Sequence, residues 1–106
     1  MAELLSGTLD LLILRVLNSG PLHGFGIGER LSILSKEVLT IEEGSLYPAL
    51  YRMEAKRWIE AEWGQSERGR KAKIYSLTKA GRKQLETERA SWSKMAVAIG
   101  DVLKNA

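Results

Sequence analysis

The chain has 106 residues, 44% hydrophobic and 27% charged, with a formal net charge of +3. That length suits one compact domain with a modest core, so a long helix left over needs a partner. Cysteine is absent, which excludes a disulfide framework, a thiolate zinc site and a cysteine nucleophile and suits a reducing cytoplasm. No apolar run approaches the ~20 residues of a membrane span, and Met1–Ser6 lacks the positive n-region of a signal peptide.

The first predicted element is a helix from Ser6 to Asn18, nearly apolar all round and broken only by Asp10 and Arg15. Ser6 or Thr8 can cap it, Asp10 suits its first turn, and Gly20-Pro21 stops it. A helix hydrophobic on every side must be covered on every side, one face by its own domain and the other by a second subunit. A second helix follows from Gly24 to Ser35, with Ile27, Leu31 and Leu34 on one face. Gly24, Gly26 and Gly28 weaken its first turns and permit close approach to a third helix. Lys36–Leu39 reads as a short extended link, and Thr40-Ile41-Glu42-Glu43 as a capping box that opens helix three. Pro48 lies beyond the first turn of that helix, which predicts a small kink or a later start.

Along helix three, Leu46, Ala49, Leu50 and Met53 follow the i, i+3, i+4, i+7 spacing of a buried stripe. Ser45, Pro48, Tyr51 and Arg52 point the other way, with Tyr47 at the flank. Hydroxyls, aromatics and an arginine on one exposed face suit the phosphates and base edges of DNA. Arg57–Trp63 then alternates, with Ile59, Ala61 and Trp63 on one side, as in a half-buried strand. Residues 64–71 are polar with two glycines and read as a hairpin turn, and Lys73–Leu77 returns as the partner strand. Arg68, Arg70, Lys71, Lys73, Lys79, Arg82 and Lys83 cluster on and beside this hairpin, with Glu67 the one anion among them. Such a patch is an electrostatic footprint for a polyanion, and its bland reading is a solvated loop. Thr78 can cap a last helix that runs from Lys79 almost to the end. On it Leu85, Trp92 and Ile99 recur every seven residues, with Met95, Ala96, Val102 and Leu103 beside them, a heptad-like seam.

These elements predict a mainly α fold with a small β-hairpin: a winged helix-turn-helix DNA-binding unit at 1–78 and a C-terminal dimerisation helix at 79–106. The chain also resembles the short members of the PadR-type transcriptional regulators. The matching segments are Gly7–Leu14, His23–Ile27, Gly44–Leu50 and Lys73–Gly81, in the expected order. The resemblance implies a homodimeric bacterial repressor that presents helix three of each protomer to a major groove. It further implies a flat central cavity in the dimer, where paired tryptophans hold planar aromatic molecules; Trp92, Met95 and Ala96 are the corresponding candidates. Phe25 stands where many members have tyrosine, so any role of that hydroxyl is lost.

The residues expected at DNA are Ser45, Tyr47, Tyr51, Arg52, Lys56, Arg68, Arg70, Lys71 and Lys73. Those expected at a dimer interface are Leu9, Leu12, Ile13, Leu85, Trp92, Met95, Ile99, Val102 and Leu103. Tyr47 has a second reading as packing against the wing, and Trp92 as seam packing alone. Trp58 has no assignment. His23, the one histidine, reads as a loop residue hydrogen-bonding near the start of helix two. Glu42-Glu43 suits a helix start, and Glu60 and Glu62 suit an exposed strand face. No catalytic constellation, metal site or cofactor motif is present in this reading. The expected partners are duplex DNA bearing an inverted repeat, a second copy of the chain and a planar aromatic molecule. The alternative is a winged-helix module that binds another protein.

Overall fold

Four helices and three short strands follow one another as α1 (Thr8–Leu17), β1 (Leu22–His23), α2 (Gly24–Leu34), α3 (Glu43–Ala55), β2 (Ile59–Gln65), β3 (Lys71–Leu77) and α4 (Lys79–Asn105). The structure is a computed structural model that describes residues 7–65 and 69–106. Ser6 and Arg68, singled out above, lie outside the described residues. The expected winged helix forms, with one addition. Leu22–His23 pairs antiparallel with β3, Leu22 against Tyr75 and His23 against Ile74, so the hairpin becomes a three-stranded sheet of order β1-β3-β2. Two residues are too short to carry an alternation signal.

The core sits where α1, α2 and α3 meet the sheet. Ile13, Leu14, Ile27, Leu50, Met53, Ile59 and Leu85 are its largest fully buried side chains. Leu46, Ala49, Leu50 and Met53 all face inward, as the spacing along helix three requires. Ile13 and Leu85 depart from the expected dimer interface: at 0% and 2% exposure they are consumed by the domain's own core. The first two turns of α4 dock on the body, and beyond Leu85 only Gln84's neighbour one turn on, Glu88, is even half-buried. α4 is 27 residues long, about 40 Å at 1.5 Å per residue, and gives the molecule its 54 Å long axis.

Local chemistry explains where elements start and stop. His23 caps α2, its Nδ1 accepting from the Gly26 amide at 3.0 Å. Gly24 lets α3 come close, since a Cβ there would lie 2.7 Å from the Tyr47 ring, whereas one on Gly28 would make an ordinary contact 3.6 Å from Leu46. Lys36 and Glu37 are left-handed (φ 54° and 66°), contrary to the extended link expected, because the Glu37 amide turns back to the Ser32 carbonyl at 2.7 Å and closes the end of α2. α1 starts on left-handed Gly7 without a side-chain cap, and Thr8 is already helical. The Thr40 capping box does not form either. Glu42 occupies the cap position without a side-chain bond, and the later start still leaves Pro48 inside the helix. Pro48 has no amide to offer the Gly44 carbonyl, and Gly44 is an exposed residue.

The wing ladder is longer than expected. It runs from Ile59↔Leu77 to Gln65↔Lys71, so residues 64, 65, 71 and 72 belong to strands. At its base Thr78 caps α4, accepting from the Gly81 amide at 2.9 Å while its hydroxyl lies 2.7 and 2.9 Å from the Arg57 and Trp58 carbonyls. A Cβ on Gly81 would sit 2.0 Å from the Trp58 carbonyl oxygen, which is backbone and cannot move aside cheaply. Gly81→Ala should therefore destabilise the domain by about 2 kcal/mol, in the range for overpacking, read as a lowered thermal unfolding midpoint.

Candidate nucleic-acid interface

The outward face of α3 is polar because the opposite face is spent on the core. Ser45, Pro48 and Tyr51 are exposed, Tyr51 at 78%. Tyr47 lies one turn before Tyr51 and faces a cleft of about 700 Å³ between α3, the start of α2 and the wing. The cleft is walled by His23, Phe25 and Glu29 on one side and by Trp63, Arg70 and Lys71 on the other, with Tyr75 at its floor. Phe25 and Trp63 are each 63% exposed. The Lys71 ammonium stands 5.5 Å from the Trp63 ring centre, and the His23 and Phe25 rings stack at 6.3 Å. Arg70 and Lys71 have no acidic partner among the described residues.

Other expected DNA contacts are engaged elsewhere. Arg52 borders the buried stripe, and its guanidinium folds back to the carboxylate of Asp10 on α1. Lys73 donates to Glu54 at 3.3 Å and lies 6.0 Å from the Tyr75 ring centre, which ties the wing to α3. Lys56 sits 4.6 Å over the Trp58 ring. Trp58 itself is half-buried against the core, which settles its place. Tyr47 rests its ring on Gly24 at the start of α2, not on the wing, and lines the cleft that opens toward the wing.

Reading the sequence missed His23, Phe25 and Trp63 as members of this face. The alternation did put Trp63 on the same side as Ile59 and Ala61. The strand outruns the body, so the same side that is core at Ile59 is open cleft at Trp63. An aromatic at the last alternating position, next to a basic turn, was the available signal.

A second, smaller recess of about 140 Å³ lies between the start of α1 and α4, lined by Gly7, Thr8, Leu11, Glu88, Ser91, Trp92 and Met95. Ala96 is exposed and outside it. Leu9 and Leu12 are half-buried on α1. No helix of the described residues is long and apolar enough to cross a membrane.

A three-helix core, a hairpin wing beside the third helix and a basic aromatic cleft between them define a winged-helix regulator. Comparison with known proteins gives the family. The profile of the transcriptional regulator PadR-like family matches residues 13–87. An uncharacterised protein X of Lysinibacillus sphaericus is 30% identical over 92% of this chain and 90% of its own. A PadR-like transcriptional regulator from Bacillus cereus superposes with a TM-score of 0.81 at 28% identity, over 99% of this chain and all of that one. A transcriptional regulator from Clostridium thermocellum gives a TM-score of 0.82 at 26% identity, over 90% and 92% of the two chains. The chain belongs to the PadR-like family of transcriptional regulators, whose work is DNA-binding regulation and not enzymatic chemistry.

The cleft also perturbs one titration. Burial pushes the Tyr75 phenol above its ordinary value of 10.0; Lys73 pulls it down, and Glu54 and Tyr47 push it up. The folded chain then holds this proton where the unfolded chain releases it. The stability this contributes is present below about pH 10 and is lost as pH rises through the raised value. Tyr75→Phe should lessen the fall in stability above pH 10, measured by urea unfolding of both proteins across pH 8–11.

Proposed function

We propose that the protein is a homodimeric, sequence-specific transcriptional repressor of the bacterial cytoplasm. The observation that carries this reading is the cleft lined by Arg70 and Lys71, continuous with the exposed face of α3. With α3 in a major groove and the wing toward the adjacent minor groove, the sugar–phosphate strand between the two grooves passes over this cleft. Ser45, Tyr51 and the edge of Tyr47 then reach base edges or phosphates, and Arg70 and Lys71 neutralise the strand. Phe25 and Trp63 pack against its sugars. Arg68 belongs to the same basic turn in sequence.

Dimerisation is supported by the outer half of α4. Trp92, Met95, Ile99 and Val102 follow alternating spacings of three and four residues, and all are exposed, as is Leu103. Burying a large apolar side chain is worth roughly 1.5–3 kcal/mol, so five of them in line favour a second copy across a twofold axis. Leu9 and Leu12, half-buried on α1, would join that interface. A twofold pair of recognition helices matches an inverted repeat with half-sites about 34–36 Å apart. The recess beside Trp92 is smaller than the ~300 Å³ that ligand pockets start from. Joined to its twofold mate it suits a planar aromatic molecule between the two indoles, and such a ligand shifts the spacing of the recognition helices.

Three measurements test this. Affinity for duplex DNA should fall with salt by a log–log slope of about −0.9 per neutralised phosphate, and Arg70→Ala with Lys71→Ala should weaken binding to all sequences and flatten that slope. Absence of duplex binding at low salt would favour a protein-binding module instead. Ile99→Glu with Val102→Glu changes exposed positions, so the protomer should stay folded and sediment as a monomer; a persisting dimer would place the interface elsewhere. Planar aromatic cations should quench tryptophan fluorescence and lower operator affinity in the parent, with both effects lost in Trp92→Ala.

A further inference from the structure

Asp10 is the one charged side chain among the described residues that the fold buries, at 7% exposure. It lies in the first turn of α1, where the positive end of the helix favours a carboxylate. Its Oδ1 accepts from Nη2 of Arg52, a contact that bridges 42 positions of sequence and ties α1 to α3. The Arg52 side chain stays about half exposed at 48%, beside Tyr51 on the outward face.

A buried ion pair adds little net stability compared with apolar packing of the same volume. What it adds is direction. Lys73–Glu54 ties α3 to the wing, but toward α1 and α2 the buried side of the helix is otherwise apolar and tolerates small rotations and slides, whereas a guanidinium–carboxylate bond tolerates little. The helix that carries Asp10 also walls the α4 recess, through Thr8 and Leu11 against Trp92 and Met95.

We propose that Asp10 is a positioning residue for DNA recognition: through Arg52 it fixes the pose of α3 against α1, and so links the recognition face to the α1–α4 recess. This rests on the DNA-binding reading above. Asp10 touches no DNA, and Arg52 serves as its handle on α3.

The test uses the full chain, a duplex selected from a randomised pool and a random-sequence duplex. Asp10→Asn and Arg52→Gln should each lower affinity for the selected duplex about tenfold, in the range of known coupling between sites. Random-duplex affinity and the salt slope should hold, and the double variant should be no worse than either single one. The exchanged pair, Asp10→Arg with Arg52→Asp, should recover selected-duplex binding relative to Asp10→Arg alone. Without DNA, amide exchange across Glu43–Ala55 should quicken in Asp10→Asn while α2 is unchanged. Should Asp10→Asn fail to fold, Arg52→Gln and the exchanged pair carry the same comparisons. Unchanged exchange in α3 overturns the proposal whatever the DNA results. So does parent-like selected-duplex affinity in Asp10→Asn, or a salt slope flattened by about 0.9 in Arg52→Gln alone, which makes Arg52 an independent phosphate contact. A parent that binds no duplex at low salt overturns the DNA-binding reading, and the exchange result still decides whether Asp10 holds α3.

Discussion

Everything in this molecule depends on how helix α3 is seated. One side of it supplies Leu46, Ala49, Leu50 and Met53 to the core, and that burial decides which side is left to face outward. The seating is close because Gly24 removes a side chain where α2 passes the ring of Tyr47. A Cβ at Gly24 would collide with the tyrosine that edges the cleft, so the packing of two helices and the shape of the binding face are one constraint.

The wing is held to that same helix by polar contacts. Lys73 joins Glu54, and Thr78 joins the carbonyls of Arg57 and Trp58 while capping α4. The first of these contacts uses up a cation that a composition argument assigns to DNA. Arg70 and Lys71, which line the cleft, lie farther out along the hairpin and have no acidic partner among the described residues. An excess of basic residues in a segment therefore overstates the number that can meet a phosphate, since part of it holds the scaffold that presents the rest.

α4 divides its work along its length. Near its start, Gly81 and Leu85 are buried and close the domain. Farther on, Trp92, Met95, Ile99 and Val102 keep the heptad rhythm and stay exposed, with the start of α1 flanking Trp92 and Met95 alone. A seven-residue repeat reads as one seam in sequence, yet Leu85 and Ile99 meet different surroundings, because a small body reaches only so far along a 40 Å rod.

The sequence by itself determined the winged-helix order, the inward stripe of α3, the His23 and Thr78 contacts at the starts of α2 and α4, and the place of the basic hairpin. Each of these rests on neighbours within a few residues, so spacing and side-chain type suffice. Tertiary structure decided the rest. Arg52 looks outward on a helical wheel, yet its long side chain reaches a carboxylate 42 residues away. Trp63 looks like core, yet its strand extends past the body. Ile13 looks available to a partner, yet its own domain buries it completely. In each case the side chain's environment is set by residues distant in sequence, and local periodicity carries no information about how far the packed body extends or which long side chains it draws together.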